Sequence, residues 1–189
     1  MPSDLSTDPE RRYAVVAAAF KAFSRFGYRR TAMADIAAEA GMSRPSLYLV
    51  FPNKAAVFRA LAEVLLAGAM SGAEAAWTPD MAPAEGLAAA ILAKDLPIHQ
   101  LIAATTHAGE ILATAEDLAG DLHAASVARF TALLTARLEA AGDPGPADTA
   151  RLVANAAEGL KHARLDQATY VADVQRLAAL IASSLPTIA

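Results

Sequence analysis

One stretch constrains this chain more than any other: residues 31–54, TAMADIAAEAGMSRPSLYLVFPNK. It predicts two short helices about a tight turn. Ala37 is small enough to let a second helix cross close by. Gly41 follows the first helix, where the chain must bend and a positive φ is cheap only for glycine. Ser43 can cap the second helix, with Arg44 and Pro45 in its first turn, and Leu47 pins that helix inward. The pattern predicts a helix-turn-helix, a shape whose second helix lies in the major groove of DNA. An ordinary helical hairpin with a capped second helix would satisfy the same pattern without DNA.

At about 100° per residue, Leu47, Val50 and Phe51 cluster on one side of the second helix, and Arg44, Pro45, Tyr48 and Leu49 on the other. The first set is expected in the core and the second in the groove. Arg44, Pro45 and Leu49 are the expected base readers. Arg44 can form a two-pronged bond to guanine, and Leu49 can touch only a thymine methyl or fill space. Thr31, Ser43, Ser46, Tyr48 and Lys54 sit at helix edges and termini or carry a hydroxyl, and are the expected phosphate contacts.

The segment RYAVVAAAFKAFSRFGYRRT, followed by MADIAAEAGMSRPSLYLVFPNKAAVF, resembles the TetR family of bacterial transcriptional regulators. The run Leu47 to Lys54 resembles the family's usual end of the recognition helix and entry to the next one, and the likeness extends over residues 11–66. The resemblance implies an all-α fold. An N-terminal three-helix helix-turn-helix domain (residues 1–53) would bind DNA. A C-terminal helical domain (residues 54–189) would bind an effector and dimerise. It also implies repression of a palindromic operator. At Leu49 and Val50, where the family often carries histidine or aromatic residues, this chain is aliphatic. No operator sequence therefore follows from the resemblance.

Charge divides the chain in the same way. Up to Ala60 there are 9 Lys and Arg against 5 Asp and Glu, a balance of +4, and the remainder carries −8 for a total of −4. A basic end on an acidic body suits a protein that presents one face to phosphate. Fifty of the 189 residues are alanine, the strongest helix former and a poor strand residue. No apolar stretch is expected to reach the ~18 residues of a membrane span. The start, MPSDLSTDPERR, lacks a secretion signal's basic and apolar runs. With no cysteine, disulfides, thiolate metal sites and thiol redox sensing are excluded. A cytoplasmic location is the simplest expectation.

About nine helices are expected. The first starts at Asp8-Pro9 and ends at Gly27, with Val15, Ala19, Phe23 and Phe26 along one stripe. A fourth, capped by Asn53, runs toward Ala69. Later helices are expected over 85–94, ending before Pro97, then 98–114, 117–141, 147–165 and 169–185. Leu152, Ala156, Gly159, Leu160 and Ala163 lie along one side of the penultimate helix, and Val171, Val174, Leu177, Leu180, Ile181 and Leu185 occupy much of the last. These faces could make a four-helix homodimer interface, as the resemblance implies, or could close the monomer's own core.

An effector pocket is expected among residues 84–165. Polar candidates there are His99, Thr105, Thr106, His107, Glu110, His123 and Asn155, with Trp77 and Phe130 as aromatic walls. Trp77, Thr106, His107, Glu110, Phe130 and Asn155 form the working set. The small apolar residues around them favour an apolar or amphipathic ligand. No Glu-x-x-His pair, Gly-rich phosphate loop or GxSxG elbow is present, so no metal, cofactor or catalytic role is expected. A different reading, a DNA-binding architectural or interaction protein without an effector, fits the same residues.

Overall fold

The computed structural model describes residues 8–163 and 165–186. Its elements in order are α1 (Pro9–Phe26), α2 (Met33–Glu39), α3 (Arg44–Val50), α4 (Lys54–Ala76), α5 (Pro83–Ala104), α6 (Ala108–Ala140), α7 (Pro146–His162) and α8 (Gln167–Ser183). Among the described residues there are eight helices and no strands. The chain packs as two compact units. One runs to Leu65 and takes in Thr105–His123, and the other is Leu66–Ala104 with the chain from Ala124 on.

In the first unit, α1 begins as its sequence dictates. Asp8 accepts the Glu10 N–H at 3.1 Å and Pro9 takes the first helical position. Gly27, at φ +78°, ends it. Val15, Ala19 and Phe23 are buried against Ile36 of α2, Leu47 of α3, and Val57 and Phe58 of α4. Phe26, expected on the same stripe, is instead 40 % exposed, with the Arg25 guanidinium over its ring at 4.9 Å. It is the last residue of α1, next to the Gly27 cap. Asp35 accepts the Ala32 N–H at 2.7 Å at the head of α2. Gly41, at φ +63°, makes the turn to α3. Ile111, Ala115 and Leu118 of α6 pack on this core.

The second unit is built around Met70 and Trp77 of α4, Leu87 and Ile91 of α5, Phe130, Leu134 and Leu138 of α6, Val153 and Ala157 of α7, and Tyr170 and Val174 of α8. Gly86 admits the indole of Trp77, because a Cβ there would lie 2.1 Å from its Nε1. The chain folds through Pro97 where a break was expected: α5 is continuous, and Pro97 lies inside it. Proline supplies no N–H to the carbonyl four residues back, that of Ala93. That carbonyl faces Gly72 of α4, where a Cβ would sit 3.3 Å away. The break falls instead at Thr105, whose hydroxyl accepts the His107 N–H at 3.1 Å and opens α6. The helix α6 also runs unbroken through residues 115–116, where a gap was expected, so the two joins and one new break turn nine expected helices into eight.

The helix α6 is interrupted within itself. Ala119 has φ −143° and ψ 18°, outside the helical region. Beside this break Arg59 of α4 donates to the Leu118 carbonyl at 3.0 Å and grips Asp121 with two bonds of 2.6 and 2.5 Å. The Arg59 bonds hold the Asp121 carboxyl down at about 2. Two helices, α4 and α5, are in fact long and apolar enough to cross a membrane, contrary to the sequence expectation. Their apolar character is largely alanine and leucine, and both supply core residues to the helical packing.

Candidate nucleic-acid interface

The face division of α3 follows its periodicity. Leu47, Val50 and Phe51 are buried, while Arg44, Pro45, Tyr48 and Leu49 are all exposed. Ser43 caps the helix by accepting the Ser46 N–H at 3.2 Å, and the two hydroxyls lie 2.8 Å apart. Phe51 closes the helix under the Arg12 guanidinium, 4.6 Å from its ring centre. Lys21 of α1 pairs with Glu39 of α2 at 3.2 Å. The outer face of α3 therefore presents a guanidinium, a phenol and two apolar side chains on a helix fixed at both ends. That combination can hydrogen-bond a base edge and fill the space beside it.

Two residues expected at phosphates have side chains turned inward. The Thr31 hydroxyl is buried and donates to the Gly27 carbonyl at 2.7 Å. The Lys54 ammonium donates to the carbonyls of Tyr28 at 2.7 Å, Thr31 at 2.8 Å and Arg29 at 3.3 Å, and lies 4.3 Å from the centre of the Tyr28 ring. Burial pushes the Lys54 ammonium down, and the neighbouring Glu110 carboxylate opposes that. Both side chains thus serve the turn between α1 and α2.

The six candidates for an effector pocket fall in different places. Thr106, His107 and Glu110 belong to the first unit, and Trp77, Phe130 and Asn155 to the second. Glu110 and His107 lie against Gly27, and Glu110 accepts the Arg29 N–H at 2.5 Å. Thr106 and Asn155 are exposed. Trp77 and Phe130 are both buried core residues, with the Lys94 ammonium 4.8 Å from the centre of the Phe130 ring. Among the described residues, no group of three His, Asp or Glu side chains is placed to hold a metal ion.

Sequence reasoning missed a buried ionic cluster in the second unit. Lys94 pairs with Asp95 at 2.7 Å and Glu158 at 3.3 Å, and Lys161 with Glu158 at 2.6 Å and Asp95 at 3.5 Å. His99 stacks on Tyr170 at 4.3 Å. Burial, with the charges of Asp95 and Glu158, pushes the Tyr170 phenol well above its usual range. The one available signal was three ionisable residues close together, Lys94, Asp95 and His99, amid mostly apolar neighbours.

On α7 and α8, Leu152 and Leu180 are 60 % and 58 % exposed. Between the helices runs an open groove lined mainly by Ala156, Gly159, Leu160, Leu177 and Leu180. The core face of α7 is a different one, formed by Ala150, Val153, Ala154 and Ala157.

Residues 15–61 match the family model for bacterial regulatory proteins of the tetR family. That segment is thus similar to the N-terminal region of the tetR family. Solved structures extend the likeness over the whole fold. A transcriptional regulator from Rhodococcus sp. Rha1 aligns with TM-score 0.75 at 16 % identity, covering 94 % of this chain and 99 % of its own. A TetR-like transcriptional regulator from Rhodococcus sp. RHA1 aligns with TM-score 0.66 at 22 % identity, covering 92 % and 96 %. SmeT, in a complex with triclosan, aligns with TM-score 0.67 at 21 % identity, covering 94 % and 93 %. The chain thus has the fold of the TetR-family regulators along nearly its full length. None of the curated proteins compared matches it in sequence.

Proposed function

We propose that this protein is a sequence-specific DNA-binding repressor that acts as a homodimer and responds to a small molecule. The observation that carries the reading is the exposed face of α3, Arg44, Pro45, Tyr48 and Leu49, on a capped helix inside a segment similar to the N-terminal region of the tetR family. Arg44, Pro45 and Leu49 read bases, and Ser43, Ser46 and Tyr48 contact phosphates. Thr31 and Lys54 hold the adjoining turn. Residues 1–53 are the DNA-binding domain and residues 54–189 the effector and dimerisation domain, working in the cytoplasm.

The unpartnered apolar face of α7 and α8 supports dimerisation through the last two helices. A dimer sets two recognition helices about 34–36 Å apart, one turn of B-DNA, or somewhat further. SmeT was captured with triclosan, and the small apolar residues that dominate positions 84–165 favour an apolar or amphipathic effector as well. Such a ligand acts by binding two spacings of the recognition helices unequally, with coupling of ~1–3 kcal/mol.

Selection from random double-stranded DNA with the purified protein tests the reading. An enriched palindrome is the expected result, and its spacing reports the separation of the recognition helices. No enrichment at low salt would refute sequence-specific binding. A palindrome whose affinity no apolar or amphipathic compound shifts would favour the effector-independent reading.

A further inference from the structure

The turn between α1 and α2 has little backbone structure of its own. Its polar groups are held by side chains from elsewhere in the first unit. Lys54 of α4 takes the carbonyls of Tyr28, Arg29 and Thr31. Thr105, just before α6, donates to the Ser24 carbonyl at 3.1 Å, one of the groups that the end of α1 leaves unpaired. Glu110, in the first turn of α6, accepts the Arg29 N–H. The other Glu110 oxygen packs on Gly27, where a Cβ would lie 2.6 Å from it, and the His107 ring is 3.2 Å from the same point. Only glycine lets the carboxylate come this close. Beyond the anchored backbone, the side chains of Arg29 and Arg30 are exposed at the basic end of the chain.

We propose that Glu110 is a positioning residue for DNA binding: it ties the first turn of α6 to the turn that presents Arg29 and Arg30 to phosphate. The inference rests on the DNA-binding reading above and adds a second DNA-facing region, away from α3. Its consequence is a direct route for regulation. A displacement of about 1 Å at the head of α6 takes the Glu110–Arg29 bond out of hydrogen-bonding range. The turn is then released while α3 keeps its place. Lys54 remains on the carbonyls, so release loosens the turn without unfolding the unit.

The test uses the full chain and the palindrome from the selection. Backbone amide exchange at Arg29 is followed in the wild type, Glu110→Ala, Glu110→Gln and Gly27→Ala, alongside operator affinity over a salt series. Glu110→Ala is expected to speed Arg29 exchange about tenfold. It should also weaken operator binding about tenfold and flatten the log–log salt slope by about one for each phosphate that Arg29 or Arg30 no longer neutralises. Glu110→Gln keeps an oxygen for the N–H and should restore most of both. Gly27→Ala, which expels the carboxylate, should repeat the Glu110→Ala result. Unchanged Arg29 exchange in Glu110→Ala overturns the assigned bond. Faster exchange with unchanged affinity and salt slope overturns the role in DNA binding. If the wild type binds no DNA, the parent reading fails and this inference with it, a result distinct from either variant outcome.

Discussion

Replacing Asp95 by asparagine should destabilise the second unit far more than an exposed charge would. Lys94, Asp95, Glu158 and Lys161 form a closed ring in which each ammonium meets both carboxylates, between 2.6 and 3.5 Å. The side chains of Lys94, Asp95 and Lys161 are only 6 %, 2 % and 6 % exposed. Asp95→Asn keeps the shape but leaves two buried ammonium groups sharing one carboxylate. Breaking a buried pair this way costs about 3–5 kcal/mol, against about 0–1 for a surface pair. With a urea slope of about 2 kcal/mol per molar, the midpoint should fall by about 1.5–2.5 M. The lone tryptophan, Trp77, is 3 % exposed in the same unit, so its fluorescence reports this transition. Adding Lys94→Met removes the surplus positive charge and should recover most of the loss. A fall below about 0.5 M in Asp95→Asn, or no recovery in the double variant, would refute the claim that the ring is a mutually dependent buried unit.

Arg44→Ala should cost ~1–3 kcal/mol of operator binding and relax the preference at one base pair of each half-site, measured by repeating the selection; uniform weakening on all DNA would instead make Arg44 a phosphate contact. Asp121 is held at about 2 against an ordinary 3.8, so its tie to Arg59 adds stability above about pH 4 that is lost as pH falls from there toward 2. The gap in thermal midpoint between wild type and Asp121→Asn should therefore be constant at neutral pH and close across that window. If the chain dimerises through α7 and α8 as proposed, Leu180→Glu should give a monomer by light scattering with the thermal midpoint of the isolated chain little changed, since this side chain is 58 % exposed; a dimer that persists would move the interface off α8.

What was legible in the sequence was local. The cap at Ser43, the bend at Gly41 and the inward position of Leu47 are fixed within a few residues of one another, so periodicity sorted the faces of α3 correctly. Residues whose role depends on distant partners were not legible. Lys54 has a flexible stem that could have reached solvent or phosphate, and the fold decides by placing three carbonyls from 23 to 26 residues earlier around it. Glu110 looked like a pocket residue because its neighbours are apolar, yet its partner is the Arg29 N–H, 81 residues away. Pro97 looked like a stop because its cost inside a helix is local, yet α5 continues through it within the packed second unit. The Lys94–Lys161 ring was hidden for a related reason. An adjacent Lys-Asp and an i,i+3 Glu-Lys pair are ordinary on a solvated surface, and only the tertiary packing shows that this one is buried.

A helix of seven residues, such as α3, is too short to persist in water by itself. Its geometry must come from outside, through Leu47, Val50 and Phe51 in the core and through the caps. The four side chains it exposes then make few demands on the fold and can change to suit a different operator without disturbing it. The turn at Gly27–Thr31 follows the opposite arrangement. Its backbone is held by Lys54 and Glu110, from the heads of two longer helices, so its position depends on where those helices are. If both segments meet DNA, α3 supplies the part of recognition that evolves freely. The α1–α2 turn supplies the part that a movement of α6 can switch. Under the proposed function, that separation would place sequence preference on Arg44, Pro45 and Leu49, and regulation on residues that need not touch a base.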